Sequence, residues 1–202
     1  MAVRAIIFDY GSVLVRMRDE TPRILLAERY ETTLDDLYRA IFDGPTAFPA
    51  CLGTLTIHEH WDAVTAALNV PFAEKDAFVR QFWSADDLNR DLVSFIREQL
   101  HPRYKLGLLS NAWDDLRTML MERWNILDDF DDVIISAEVG DAKPNASIYR
   151  LALDRLGVAP EETIFVDDIL ANVQGAQAVG IHAIQFLENE QLFAELKQLS
   201  LI

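Results

Sequence analysis

Five short, nearly continuous apolar runs constrain this chain more than any other feature. They are VRAIIF (3–8), YKLGLLS (104–110), DVIIS (132–136), TIFVD (163–167) and HAIQF (182–186). Helix-period segments separate the last four. One runs from about Trp113 to Trp124. The next is ASIYRLALDRLG, with Ile148, Leu151, Ala152 and Leu156 on one stripe and Gly157 as its stop. The third is LANVQGAQAVG, stopped by Gly180. Apolar strands alternating with amphipathic helices predict an α/β chain whose parallel sheet is covered on both faces.

Between the first two runs lies a stretch with little strand character. TLDDLYRAIF places Leu34, Leu37, Tyr38, Ile41 and Phe42 on one helical face. TIHEHWDAVTAAL opens on Thr56 and Glu59, a capping-box pair, and sets Trp61, Val64 and Leu68 on one face. FAEKDAFVRQFW and NRDLVSFIREQL follow, with DGPTAFPACLG as the main breaker. The expected organisation is a Rossmann-like parallel core from 1–15 and 86–202, with an all-helical cap inserted at 16–85.

In an open α/β sheet, ligands bind beyond the carboxyl ends of the strands. The polar residues expected there are Asp9 after the first run, Ser110 and Asn111 after the second, Lys143 after the third, and Asp167 with Asp168 after the fourth. Each alone has an ordinary reading as a turn, cap or solvated residue. Adjacent acids at a sheet mouth, however, repel unless a cation or a proton offsets them. A carboxylate beside a divalent ion can attack phosphorus and carry the phosphoryl group. Mg²⁺ suits such a site, being held by one or two carboxylates together with substrate phosphate. Ser110 and nearby backbone N–H groups would bind phosphate oxygens. Lys143 would stabilise charge on the nucleophile and the transferring group.

Composition removes several partners. There are 33 acidic residues against 18 Lys and Arg, a formal charge of −15, which repels nucleic acid and anionic lipid. The single cysteine, Cys51, cannot form an internal disulfide. The opening MAVRAIIF reaches Asp9 too soon for a secretion leader, and no apolar stretch nears the ~18 residues of a membrane span. A cytoplasmic protein acting on a small substrate is expected; oligomeric state is left open.

IIFDYGSVLV, LLSNAWDD, AKPNASIY and TIFVDDILANVQGAQAVGIHAI resemble, in order, the four motifs of the haloacid dehalogenase-like (HAD) hydrolase superfamily. The segment 16–85 resembles the helical cap inserted after the first motif. The resemblance implies that Asp9 is the nucleophile, Ser110 the phosphate-binding hydroxyl with Asn111 beside it, and Lys143 the third-motif lysine. It implies Mg²⁺ held by Asp9, the Gly11 carbonyl and Asp168, with Asp167 and Asn172 supporting them. The expected activity is Mg²⁺-dependent hydrolysis of a small phosphorylated metabolite, such as a sugar phosphate. One position departs from the pattern: many HAD phosphatases carry an acid/base Asp two residues after the nucleophile, and here that residue is Gly11. His58 and His60 are candidate substitutes in the cap, and Tyr38, Phe48, Trp61 and Trp83 are candidates for lining a pocket. The competing readings are a 2-haloacid dehalogenase, which needs no metal, and an interaction protein that has lost turnover.

Overall fold

The structure, a computed structural model, describes residues 2–202. In strand β1 (Ala5–Phe8) side chains alternate between faces, and both faces are buried. Ile6 and Phe8 pack with Leu106, Leu108, Val133, Ile135 and Val166 on one side. Ala5 and Ile7 pack with Leu109, Ile134, Tyr149 and Phe165 on the other. A continuous apolar run is the sequence such a strand requires.

Seven strands form. Strands β2 (Val15–Met17) and β3 (Asp86–Leu88) make a short antiparallel pair. Strands β4 (Lys105–Ser110), β5 (Asp132–Ile135), β6 (Thr163–Asp167) and β7 (His182–Gln185) join β1 in a sheet of order β5-β4-β1-β6-β7. Every pairing in that sheet is parallel. The chain builds from β1 toward one edge and then from β1 toward the other, so the direction of winding switches at β1.

The stretch between the two short strands is helical. It holds α1 (Thr21–Arg29), α2 (Leu34–Tyr38, continued by a π turn over Arg39–Asp43), α3 (Ala47–Cys51), α4 (Ile57–Ala67) and α5 (Lys75–Trp83). Thr56 and Glu59 cap α4 reciprocally, as their spacing predicts. Leu26, Leu37, Ile41, Trp61, Val64, Phe78 and Phe82 form a separate apolar cluster among these helices. Two features differ from the expectation. The breaker segment contains α3, because Pro49 sits in its first turn, where a missing N–H costs nothing. The helical stretch is also bracketed by the β2–β3 ribbon, whose three-residue strands are too short to show alternation. Arg16 opposite Asp87 and Val15 opposite Leu88 set its register.

The remaining helices cover the sheet: α6 (Arg90–Phe95), α7 (Leu116–Thr118), α8 (Ser136–Val139), α9 (Ala146–Leu156), α10 (Leu170–Ala178) and α11 (Asn189–Gln198). A Cβ on Gly175 would lie 2.8 Å from Cβ and O of Pro144, so a bare backbone lets α10 close onto the segment that carries Lys143. No helix among the described residues is long and apolar enough to cross a membrane.

Candidate active site

The carboxyl ends of β1, β4 and β6 lie side by side, and their first polar residues converge. Asp9 follows β1, its N–H donating to the Val166 carbonyl at 2.8 Å. Ser110 ends β4 and Asp167 ends β6, both buried. Lys143 enters from the loop after α8 and is likewise buried. Its ammonium donates to Asp9 Oδ1 at 2.7 Å, Asp167 Oδ2 at 2.6 Å and the Leu109 carbonyl at 2.9 Å. All three protons are used, so the ammonium is fixed in place.

Asn111 holds the Lys143 backbone from both sides. Its Nδ2 donates to the Lys143 carbonyl, and its Oδ1 accepts the Lys143 N–H, each at 2.8 Å. Asn172 donates from Nδ2 to both oxygens of Asp167 at 3.1 Å, and the Ile169 N–H donates to Asp167 Oδ1 at 2.8 Å. With Lys143 as well, Asp167 accepts from three groups. Asp9 takes a single side-chain hydrogen bond, that of Lys143, and Asp168 is half-buried beside them.

The electrostatics follow from burying three acids with one base. Burial pushes the Asp9 carboxyl up to about 6; Lys143 opposes this and the Asp167 charge adds to it. Burial and the Asp167 charge also raise Asp168 above the usual carboxylate range. Burial pulls Lys143 down, but Asp9 and Asp167 outweigh it and hold the ammonium above the ordinary lysine value. Fully ionised, the four side chains carry two net negative charges. One oxygen from each of Asp9, Asp167 and Asp168 can lie within 4.8 Å of the others. An all-oxygen, carboxylate-rich donor set of that size fits a hard divalent cation such as Mg²⁺.

Asp9, Lys143 and Asp168 floor a cavity of about 790 Å³ that is roofed by the helical segment, and Asp167 is fully buried behind them. Gly11, Ser12, Ser110, Asn111, Lys143 and Asn172 are among its lower walls. Of the four aromatic candidates, Tyr38, Phe48 and Trp83 line it, whereas Trp61 is buried in the apolar cluster of the helices. His60 is also fully buried; its Nδ1 pairs with the Thr46 hydroxyl at 2.8 Å and its ring packs on Trp113. Neither His58 nor His60 lines the cavity, so neither substitutes at Gly11 in this arrangement. An alternating amphipathic helix exposes one histidine and buries the next but one, which the spacing of His58 and His60 alone did not separate.

The sequence reading missed a buried ion pair on the upper wall. Arg23 Nη2 donates to Asp86 Oδ2 at 2.7 Å, its Nη1 donates to the Tyr38 hydroxyl at 3.2 Å, and its guanidinium lies over the Phe82 ring at 4.2 Å. Trp113, Met119 and Trp124 also line the cavity unannounced. Their apolar character looked like core; only tertiary contact shows which faces stay uncovered.

A family model described as haloacid dehalogenase-like hydrolase matches residues 3–180. Sesquiterpene phosphatase astK of Aspergillus oryzae is 28% identical over 200 residues, covering 97% of this chain and 96% of that one. The phosphorylated carbohydrates phosphatase of Thermotoga maritima is 26% identical over 195 residues, covering 90% and 84%. In fold, the chain is similar to a HAD family enzyme of Bacteroides thetaiotaomicron solved in complex with magnesium and inorganic phosphate. That likeness has a TM-score of 0.79 at 20% identity, covering 95% and 99% of the two chains.

Proposed function

The chain belongs to the haloacid dehalogenase-like hydrolases, and from that membership we propose that it hydrolyses phosphate monoesters of small organic alcohols, with Asp9 as nucleophile. The observation that carries this reading is the cluster of Asp9, Lys143 and Asp168 on the floor of a roofed cavity, with Asp167 buried behind them against Lys143. Phosphatase names among the relatives support it. A dehalogenase has no use for three gathered acids, and an interaction surface has no use for a buried ammonium between two of them.

A carboxylate oxygen of Asp9 attacks phosphorus, the P–O bond to the alcohol breaks, and the phosphoryl group stays on Asp9. Water then attacks phosphorus and frees inorganic phosphate and the carboxylate. Lys143 is held where it offsets charge on Asp9 and on the phosphoryl oxygens. Ser110 and Asn111 sit at the end of β4, against the same cavity, to bind those oxygens. Asp167 is saturated by its donors and acts by orienting Lys143, which leaves Asp9, Asp168 and the Gly11 carbonyl to hold Mg²⁺. The metal, when bound, draws the like-charged carboxylate and phosphate together. The helical segment 16–85 serves as a cap that excludes water and selects the alcohol.

Phosphate release from a panel of monoesters, with Mg²⁺ and with EDTA, tests the reading; metal-dependent release that disappears in Asp168→Asn is the expected result. Metal binding has its own readout. Mg²⁺ at about 100 times its Kd stabilises by roughly 2.7 kcal/mol, raising the melting temperature by about 5–11 °C for a chain of this size. EDTA or Asp168→Asn removes that rise. An equal melting temperature with and without Mg²⁺ would sink the metal assignment.

Gly11 supplies a further prediction. A Cβ there would meet nothing within 4 Å, so packing does not demand glycine. Gly11→Asp restores an acid two residues after the nucleophile, where it can protonate a leaving alkoxide and activate water. Turnover of an alkyl phosphate rises by up to about 10²-fold, and that of an aryl phosphate, a better leaving group, rises less. Equal rates for glycine and aspartate across both esters would mean that proton transfer is not what limits the enzyme.

A further inference from the structure

Four large apolar side chains that face water in this structure do so around one cavity. Met17 is 46% exposed, Phe42 45%, Phe48 62% and Ile169 53%, and all four line the chamber above Asp9. Behind them stand Tyr38, Trp83, Trp113 and Trp124. Phe42 stacks on Trp113 with ring centroids 5.9 Å apart, and Trp83 meets Trp113 edge-on at 6.0 Å, so the wall is a continuous aromatic surface. Exposed apolar surface gathered at one place marks a binding site.

Most polar groups of the upper wall are already bonded, the Trp83 Nε1 being an exception. Arg23 is bonded to Asp86, Tyr38 and the Phe82 carbonyl, the Tyr38 hydroxyl donates to Glu20, and Arg123 donates to the Trp83 and Asp86 carbonyls. A polyhydroxylated ligand would find few free partners there, and every hydroxyl it buried unpaired would oppose binding. A cationic tail would find aromatic faces and Asp115, but the carboxylates of Asp86 and Glu20 are already bonded to Arg23 and Tyr38, and the guanidiniums of Arg23 and Arg123 stand beside them. An uncharged apolar tail meets neither objection.

We propose that the chamber takes the apolar tail of an amphiphilic phosphate monoester, an alkyl or alkenyl phosphate, with its headgroup at Asp9 and Lys143. This rests on the phosphatase reading for its headgroup chemistry and adds the class of alcohol. Phe48, on α3, and Phe42, at the end of the π turn after α2, are the residues that grip the tail. Phe48, 62% exposed, can be substituted without loss of the fold; Phe42 also packs on Phe82 and Trp113, so the melting temperature of its variant is compared alongside.

The test is a series of n-alkyl phosphates from methyl to decyl, kept below micelle-forming concentrations, beside glucose 6-phosphate, choline phosphate and acetyl phosphate. The expected kcat/KM rises by about two- to fourfold per methylene until the chamber is filled, the upper figure being full burial of each methylene. The rise is shallower in Phe48→Ser and Phe42→Ser. A flat or falling series, or preference for glucose 6-phosphate or choline phosphate over decyl phosphate, overturns the proposal while leaving the phosphatase reading intact. Binding of the same esters to Asp9→Asn, followed by tryptophan fluorescence, separates the two readings. No turnover of any ester or of the anhydride acetyl phosphate, with affinity that still climbs with chain length, removes the phosphatase reading and keeps the apolar chamber. No turnover and no dependence of affinity on chain length removes both.

Discussion

Lys143→Met lowers the melting temperature of the metal-free protein by roughly 6–20 °C near neutral pH and abolishes measurable turnover. Methionine matches the length and apolar stem of lysine, so the change removes a charge and leaves the shape. Asp9 and Asp167, each within 2.7 Å of the ammonium, then face each other buried and without a cation. Breaking a buried ion pair from one side costs about 3–5 kcal/mol, because the remaining charge has no partner. For a chain of this size each kcal/mol corresponds to about 2–4 °C. The pH dependence has a definite sign. In the native protein the Lys143 pKa is raised, so its contribution is fully present below the ordinary lysine value and fades only as pH climbs above it. Between pH 5 and 9 it is therefore constant. In the variant the Asp9 carboxyl, freed of the ammonium that opposes its protonation, takes a proton more readily, so the deficit is largest at high pH and shrinks as pH falls. Thermal melts from pH 5 to pH 9 check this; a deficit independent of pH would mean that Lys143 acts by packing and not by charge. Mg²⁺ restores part of the lost stability, since it returns positive charge to the same acids.

The behaviour of Lys143 also shows what a sequence can and cannot disclose. The β-like runs ending at Phe8, Ser110 and Asp167 were legible because a strand covered on both faces must be apolar along its whole length. Once the sheet is parallel, their carboxyl ends must share one rim with Asp9, Ser110 and Asp167 on it, and the strand order that sets β4, β1 and β6 side by side makes them neighbours. Lys143, after the third run, was placed at the same rim by that reasoning, whereas the two hydrogen bonds by which Asn111 holds the Lys143 backbone had no sequence signal. The cavity above the rim was not legible. Trp61 and Trp83 have the same composition signal, yet one packs inward among the helices and the other faces the chamber. Arg23 and Asp86 lie far apart in sequence and meet because α1 packs on α5 and β2, just before α1, pairs with β3. Periodicity reports which side of an element is apolar; whether that side meets another element or an open cavity depends on packing between elements.

Asp9→Asn provides the sharpest contrast. Activity falls by about 10⁴-fold or more, as when an enzyme loses its nucleophile, because an amide neither attacks phosphorus nor holds a divalent cation well. Stability moves the other way. The Asp9 pKa is raised to about 6 even with Lys143 beside it, so burial costs the ionised form more than the ion pair returns. A raised carboxyl contributes stability that is fully present below its unfolded value of 3.8 and is lost as pH rises through about 6. Above pH 6 the metal-free native protein therefore carries an unfavourable buried charge, and asparagine removes it. Lys143 keeps Asp167 as its partner at 2.6 Å, so no orphaned ammonium results. Metal-free Asp9→Asn melts at a higher temperature than the native protein at pH 8, and the advantage disappears near pH 4. If asparagine instead lowered the melting temperature at pH 8, Asp9 would be a structural partner of Lys143 first. A residue whose removal destroys turnover while stabilising the fold is held in place by what it does in the reaction.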